Sequence, residues 1–317
     1  MKNILVTGAL GQIGSELVER LRELYGPSHV IATDIRDSEE MKEKGPFAIV
    51  DVQDAARLYE VANKYEADTI IHLAALLSAK AEMMPKLAWD LNMNGLLNAL
   101  EVAKELGAQF FTPSSIGAFG PSTPKTAAPQ ETIQRPTTMY GINKVAGELL
   151  CDYYFRKYGV DTRGLRFPGL ISYQTEPGGG TTDYAVDIYY GAVQEGMYTS
   201  YLKEDTYLDM MYMKDAIDAI IQLMEADGKK LQYRNAYNVT AFSACPKDFA
   251  QSIRKWLPDF QFSVKVDRTR QAIADSWPDH IDCSQAEQDW GFRPAYDLDA
   301  VTKDMLEKIR GKITAED

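Results

Sequence analysis

The chain has 317 residues, 45% hydrophobic and 25% charged, ordinary proportions for a water-soluble globular protein of one large domain or two lobes. Its 34 basic residues stand against 46 acidic ones, and the formal net charge of −12 speaks against a duplex nucleic-acid or anionic-membrane surface, which selects clustered positive charge. A small-molecule partner is the expectation that remains.

The opening residues MKNILVTGALG hold a lysine and a short apolar run, but no cleavage-type sequence follows, and no stretch approaches the roughly 20 apolar residues of a membrane helix. Cys151, Cys245 and Cys283 are too few and too far apart for a disulfide framework or a zinc motif. With His29, His72 and His280 as the only histidines, no metal site is expected. These features suit a reducing compartment, and the expected location is the cytoplasm.

Along the chain, short β-branched runs alternate with longer segments of helical period. The strands are read over NILVTG, VIATD, TIIHLAA and QFFTPSS, the helices over 12–25, 54–65, 86–106 and 138–157. Strand and helix in repeated alternation predict a parallel sheet covered on both faces, a Rossmann-type doubly wound α/β fold. TRGLRF, AYNVT and FSVKV are further strands, separated by less regular Gly-, Pro- and Tyr-rich stretches at 167–205 and 241–300. No repeat or long linker separates the halves, so a smaller C-terminal lobe would be interleaved with the first. The expected division is 1–170, with 206–240 returning to it, for a dinucleotide, and 171–205 with 241–317 for a substrate.

The first strand runs into VTGALGQIG, which places Gly8, Gly11 and Gly14 at a strand-to-helix turn, with Gln12 and Ile13 opening the helix. Glycine there allows a tight turn and lets the helix N-terminus approach a pyrophosphate, whose charge the free N–H groups and the helix dipole favour. Read structurally, the same triplet is only a turn. Asp34 closes the second strand 20 residues after Gly14, where a carboxylate accepts from ribose hydroxyls and repels a 2′-phosphate, so NAD is the expected cofactor. Neighbouring Arg36 leaves NADP open. Asp51 and Val52, after a third strand, are placed to flank the adenine or merely to begin a loop.

MYGINK sets Tyr140 and Lys144 four apart on one helix face. A phenol of pKa about 10 makes a poor base at neutral pH, but a neighbouring ammonium and the charge of an oxidised nicotinamide favour its phenolate. Such spacing also arises by chance on surface helices. Here it stands 25 residues after PSSIGAFG, whose Ser115 ends a parallel strand and is placed to steady a reacting oxygen.

TGxxGxxG, HLAA at 72–75, the strand-end serine and YxxxK together resemble the extended short-chain dehydrogenase/reductase family. NMNGLLNALE is similar to that family's Asn-x-x-Gly-x-x-Asn helix, and IDCSQAEQDWGFRPAYDLDAV to its C-terminal signature, with Trp290 where Leu is usual. The resemblance covers nearly the whole chain. It implies Ser115, Tyr140 and Lys144 as catalytic groups, with Gly8, Gly11, Gln12, Ile13, Gly14, Asp34, Asp51, Val52, Leu73, Ala74, Ala75 and Lys144 around NAD.

Nucleotide-sugar epimerases and dehydratases of this family usually carry Asn and Tyr-Gly-Pro after the Leu-Arg strand. This chain has LRFPGLIS there, and together with PGGGTTDYAVDIYY, HLAALLSA, IGAFGP and RQAIADSWPDHID it resembles the short-chain L-threonine 3-dehydrogenases. The implied reaction is NAD-dependent oxidation of the C3 hydroxyl of L-threonine, with a nucleotide-sugar epimerase or dehydratase as the alternative. A small zwitterion needs donors for its carboxylate and an acceptor for its ammonium. Backbone N–H groups of Gly178–Gly180 can approach closely, Thr181 and Thr182 offer hydroxyls, and Asp183 offers a charge. Read structurally, the glycines are a flexible loop, Thr182 or Asp183 caps the helix YAVDIYYGAVQ, and its tyrosines are core. Ser78 and Trp277 join the pocket by resemblance, alongside Ser115 and Tyr140; Trp277 also reads as core or dimer contact. Excess apolar residues on GELLCDYYFRKY and LAWDLNMNGLLNALEVA, the helices through which the family commonly dimerises, lead to the expectation of a homodimer.

Overall fold

The computed structural model describes residues 1–175 and 178–316. β-Branched and leucine residues form β1 (Ile4–Thr7), β2 (Val30–Asp34) and β4 (Thr69–His72), every residue of which is buried, and the shorter β3 (Phe47–Ile49). Continuous burial is what a parallel strand covered on both faces requires. Between and after them come α1 (Gln12–Tyr25), α2 (Glu39–Lys44), α3 (Ala55–Lys64), α4 (Ser78–Met83), α5 (Pro85–Trp89) and α6 (Gly95–Leu106). Next are β5 (Gln109–Phe111), β6 (Ser114–Ser115), α7 (Met139–Tyr158) and β7 (Thr162–Arg163). The main sheet has the order β3-β2-β1-β4-β5-β7, all parallel. Its direction of build reverses between β1 and β4, which leaves a crevice at their C-terminal ends.

The second half adds β8 (Leu165–Phe167), β9 (Gly169–Ile171), α8 (Tyr184–Gln194), β10 (Met197–Ser200), β11 (Leu208–Tyr212) and α9 (Met213–Glu225). It continues with β12 (Tyr237–Asn238), β13 (Phe242–Ala244), α10 (Pro246–Arg254), β14 (Gln261–Val264), α11 (Arg268–Asp275), α12 (Ser284–Trp290) and α13 (Leu298–Glu316). These build three small sheets, β12-β8-β6, β13-β11-β9 and β10-β14. One core lies between α1, α9 and the main sheet, a second on the other face under α3, α6 and α7, and a third among α8, α10 and α13.

Three elements read as continuous are broken. QFFTPSS is two strands, because Pro113 has no N–H to continue the ladder: β5 stays in the main sheet and β6 leaves it to pair with β8. TRGLRF splits at Gly164, whose N–H donates to Arg234 O at 3.0 Å and where a Cβ would lie 2.8 Å from Thr112 O. The helix read over 86–106 is interrupted by a wide turn of π type at Asp90–Asn94, which turns Asn92 inward. There Asn92 accepts from Leu76 N (2.7 Å) and donates to Leu76 O (3.1 Å) and Asn143 Oδ1 (3.2 Å), pinning the chain after β4 to α7.

Candidate active site

The crevice is one cavity, and its wall begins with the turn between β1 and α1. Gly8 has φ +68°, and a Cβ there would lie 2.8 Å from Ala74 N. At Gly14 a Cβ would lie 2.3 Å from Gly8 O, so the turn and the helix start can close up only on glycine. Gly11 caps α1 without a side-chain bond, and the first intrahelical bond runs from Ser15 N to Gly11 O. The N–H groups of Gln12, Ile13 and Gly14 are therefore spare at a positive helix end that faces the cavity. This donor set suits a pyrophosphate. Leu73, Ala74 and Ala75 form the adjoining wall.

Asp34 lies at the end of β2 but outside the cavity wall, as do Asp51 and Val52. Its carboxylate accepts from Leu10 N (3.0 Å), Arg36 N (3.1 Å) and Arg36 Nε (3.2 Å), so Arg36 is its ion-pair partner rather than a free cation. Asp51 accepts from Gln53 N, while Val52 is buried against Gly95, where a Cβ would meet it at 2.8 Å. Val52 thus serves packing of α6 in this structure.

Deeper in the cavity, β6 and α7 bring Ser115, Tyr140 and Lys144 together. Thr138 caps α7, its hydroxyl accepting from Gly141 N, so the helix starts immediately before Tyr140. Ser115 Oγ accepts from Gly117 N at 3.1 Å and is hydrogen-bonded to Tyr140. A Cβ on Gly117 would come within 3.2 Å of the Tyr140 ring, which explains the glycine after the serine strand. Lys144 Nζ lies 5.3 Å from the centre of that ring and donates to Pro113 O at 2.7 Å.

Burial dominates the titration of all these groups. It pushes Tyr140 up to about 12 against the opposing Ser115 bond, pulls Lys144 down to about 8, and, with the nearby Lys144 charge, brings His72 to about 3. In the ligand-free chain removal from water prevails over the opposing bond to Ser115, and Tyr140 is a phenol.

The remaining wall comes from the second half. Ser78, Gly180, Thr181, Thr182, Asp183 and Trp277 all line the cavity, and Ser78 Oγ stands 3.5 Å from Thr181 Oγ1. Asp183 accepts from Gly179 N (2.9 Å) and Gly180 N (2.7 Å). Two of the three backbone donors expected to meet a carboxylate are therefore already taken, and the aspartate ties down its own glycine loop instead of capping α8 with its side chain. Pro177, which opens that stretch, lies outside the described residues. Trp277 is buried at the cavity wall, and Lys125 Nζ holds its segment by donating to Asp275 O (2.6 Å) and Trp277 O (2.5 Å). Asn143 and Glu148 also reach the cavity and are not among the residues singled out from sequence; Asn92, the first asparagine of the Asn-x-x-Gly-x-x-Asn motif, reaches it too. Asn143 and Glu148 flank Lys144 on α7, and the pattern around the lysine is the signal that could have found them. Among the described residues no cluster of His, Cys, Asp and Glu could hold a metal, and no helix is long and apolar enough to cross a membrane.

A parallel sheet with a glycine turn, a spare helix N-terminus and a Ser/Tyr/Lys group in its crevice defines an NAD-dependent oxidoreductase of the Rossmann class. Residues 4–240 match the NAD dependent epimerase/dehydratase family, and the chain belongs to it. An uncharacterized epimerase/dehydratase of Staphylococcus saprophyticus is 63% identical over 318 residues, covering 100% of this chain and 99% of its own. The structure is similar to that of L-threonine dehydrogenase from Clostridium difficile, with a TM-score of 0.97 and 60% identity over 98% of both chains. It is also similar to a monomeric L-threonine 3-dehydrogenase from a metagenome, with a TM-score of 0.94 and 43% identity over 98% of this chain and 99% of the other.

Proposed function

We propose that the protein oxidises the C3 hydroxyl of L-threonine to L-2-amino-3-oxobutanoate, with Tyr140 as the base. The observation that carries this reading is the shared wall on which the Ser115, Tyr140 and Lys144 group meets Ser78, Thr181, Thr182 and Trp277. The 60% identity and near-complete overlap with an L-threonine dehydrogenase support it.

When bound, NAD supplies the acceptor for the hydride that leaves C3. The N–H groups of Gln12, Ile13 and Gly14 would hold its pyrophosphate, and Asp34 its ribose. Within the chain, Ser115 Oγ orients the substrate oxygen and Tyr140 takes its proton. Lys144 favours the charged form of Tyr140 once the site is filled. Thr181 and Thr182 bind the amino-acid head, and Trp277 forms part of the wall around it. Asp183 shapes the loop and leaves a negative charge within the site for the ammonium. The same reading assigns 1–170 and 206–240 to the dinucleotide, 171–205 and 241–317 to the substrate, the cytoplasm as location and a homodimer as assembly.

Calorimetric titration of the NAD-loaded protein with L-threonine and, separately, with a uridine diphosphate sugar tests the substrate. Threonine binding accompanied by NADH formation is the expected result. Tight binding of the sugar nucleotide with none of threonine would overturn the assignment in favour of an epimerase or dehydratase.

A further inference from the structure

Glu148 lies on α7 one turn beyond Lys144 and two beyond Tyr140, so the three share a helix face. It is buried, and four donors converge on its carboxylate: Ser114 Oγ in a very short bond, Gln134 Nε2 (2.9 Å), and Arg166 Nε (3.0 Å) and Nη2 (2.8 Å). Ser114 and Ser115 are the two residues of β6, and neighbours on a strand face opposite ways. One hydroxyl therefore goes to Tyr140 and the other to Glu148. Arg166, opposite Ser114 in the β6–β8 pairing, is itself anchored on Gln130 O (2.8 Å), on Asn238 Oδ1 (3.1 Å) and over the Phe119 ring at 5.2 Å.

Lys144 is buried with a neutral carbonyl as its hydrogen-bond acceptor, and burial lowers its affinity for a proton while Glu148 acts the other way. The other groups around α7 cannot replace that carboxylate. Tyr140 and Cys151 on the same helix are held protonated by burial, and His72 on β4 is held neutral. Glu82 of α4 is engaged by Met139 N at the helix start, Glu101 of α6 by Tyr154 and Lys104, and Arg163 of β7 by Asp161. Lys86 of α5 and Asp90 of the wide turn are exposed.

We propose that Glu148, clamped by Arg166 and Ser114, is a positioning residue of the reaction: it holds the strand of Ser115 against α7 and keeps the Lys144 ammonium charged. The proposal rests on the assignment of Ser115, Tyr140 and Lys144 above.

The test follows Lys144 directly, by carbon NMR of the NAD-loaded protein with its lysine side chains labelled at Cε and Lys144→Met as the assignment control. It is paired with pH profiles of kcat/KM for threonine. Glu148→Gln should move the Lys144 titration to lower pH and carry the alkaline limb of the profile with it. A shift of one unit corresponds to about a tenfold loss on that limb. Glu148→Asp keeps the charge one methylene further back and should move both in the same direction by less. It also stands in for Glu148→Gln should that variant not fold. An unchanged Lys144 titration in whichever variant folds overturns the proposal. A Tyr140→Phe enzyme with near-native turnover would instead sink the underlying site assignment, and the Lys144 titration would still report on Glu148.

Discussion

At Tyr140 burial and chemistry pull in opposite directions. The pocket that excludes water from the reaction also pushes the phenol up to about 12 when no ligand is present. Proton abstraction near neutral pH then needs further positive charge, which an oxidised nicotinamide in the cavity would supply. The sign is definite: NAD should lower the Tyr140 titration, and the ligand-free protein should keep this one tyrosine protonated when exposed tyrosines have already ionised. Difference absorbance of phenolate between the native protein and Tyr140→Phe, with and without NAD, reads it; identical titrations in both states would count against Tyr140 as the base. Tyr140→Phe keeps the ring and removes the proton acceptor, so turnover should fall by roughly 10²- to 10⁴-fold with NAD affinity little changed, measured by steady-state kinetics and NAD titration. Asp34 invites a second substitution. Its carboxylate already pairs with Arg36, yet it would still repel a 2′-phosphate, so Asp34→Ser should narrow a strong native preference for NAD over NADP. Equal efficiency with both cofactors in the native enzyme would remove the role given to Asp34.

Among the elements, those governed by local pattern were legible in the sequence and those governed by tertiary contacts were not. α1 and β2 fall on the residues that period and β-branching indicate, because each is bounded by its own glycine or turn. The splitting of QFFTPSS and TRGLRF was hidden, because it depends on which neighbouring strand offers a partner: β8 for Ser114 and Ser115, and the Arg234–Tyr237 segment for Gly164. α9 packs on α1, and its Met213, Ala216, Ile217 and Ile220 share one core with Leu17, Val18 and Leu21 of α1. The site shows the same division. Tyr140 and Lys144 could be paired from helix spacing and Asn92 falls in the Asn-x-x-Gly-x-x-Asn motif, whereas the anchor of Asn92 on Leu76 and the clamp of Arg166 on Glu148 depend on residues distant in sequence. In the glycine loop a binding aspartate and a loop-tying one look alike until the bonds to Gly179 and Gly180 are seen. Those bonds separate two variants. Thr182→Ala should raise the Michaelis constant for threonine by about tenfold or more and spare NAD, since a hydrogen bond to a charged group is worth about 1.5–3 kcal/mol. Asp183→Ala frees two backbone donors and unties the loop, so it should raise the same constant and also speed proteolysis at 178–183. A Thr182→Ala enzyme with native kinetics would exclude its hydroxyl from substrate binding.

For the molecule as a whole, the outer faces of α6 and α7 bear on assembly. Their inner faces are spent on the second core, but Leu97, Leu149 and Tyr153 remain 39%, 62% and 46% exposed on the side away from the sheet. Large aliphatic and aromatic groups on two adjacent helices form the kind of self-complementary strip that a two-fold axis can bury, and a stable dimer buries about 1,200–2,000 Å² in total. The fold by itself does not require this, because the metagenome enzyme of nearly the same structure is monomeric. We expect a homodimer here, with these outward residues as its contact. Leu149→Glu puts a charge on the most exposed of the three and, in a two-fold interface, does so twice in close proximity, where like charges and lost apolar contact both oppose association. Sedimentation should show native dimers dissociating to monomers in Leu149→Glu at the same protein concentration. The melting temperature should also lose its dependence on concentration, because a monomer gains nothing from mass action. A native protein that sediments as a fully active monomer when dilute would show that the strip on α6 and α7 serves some other contact.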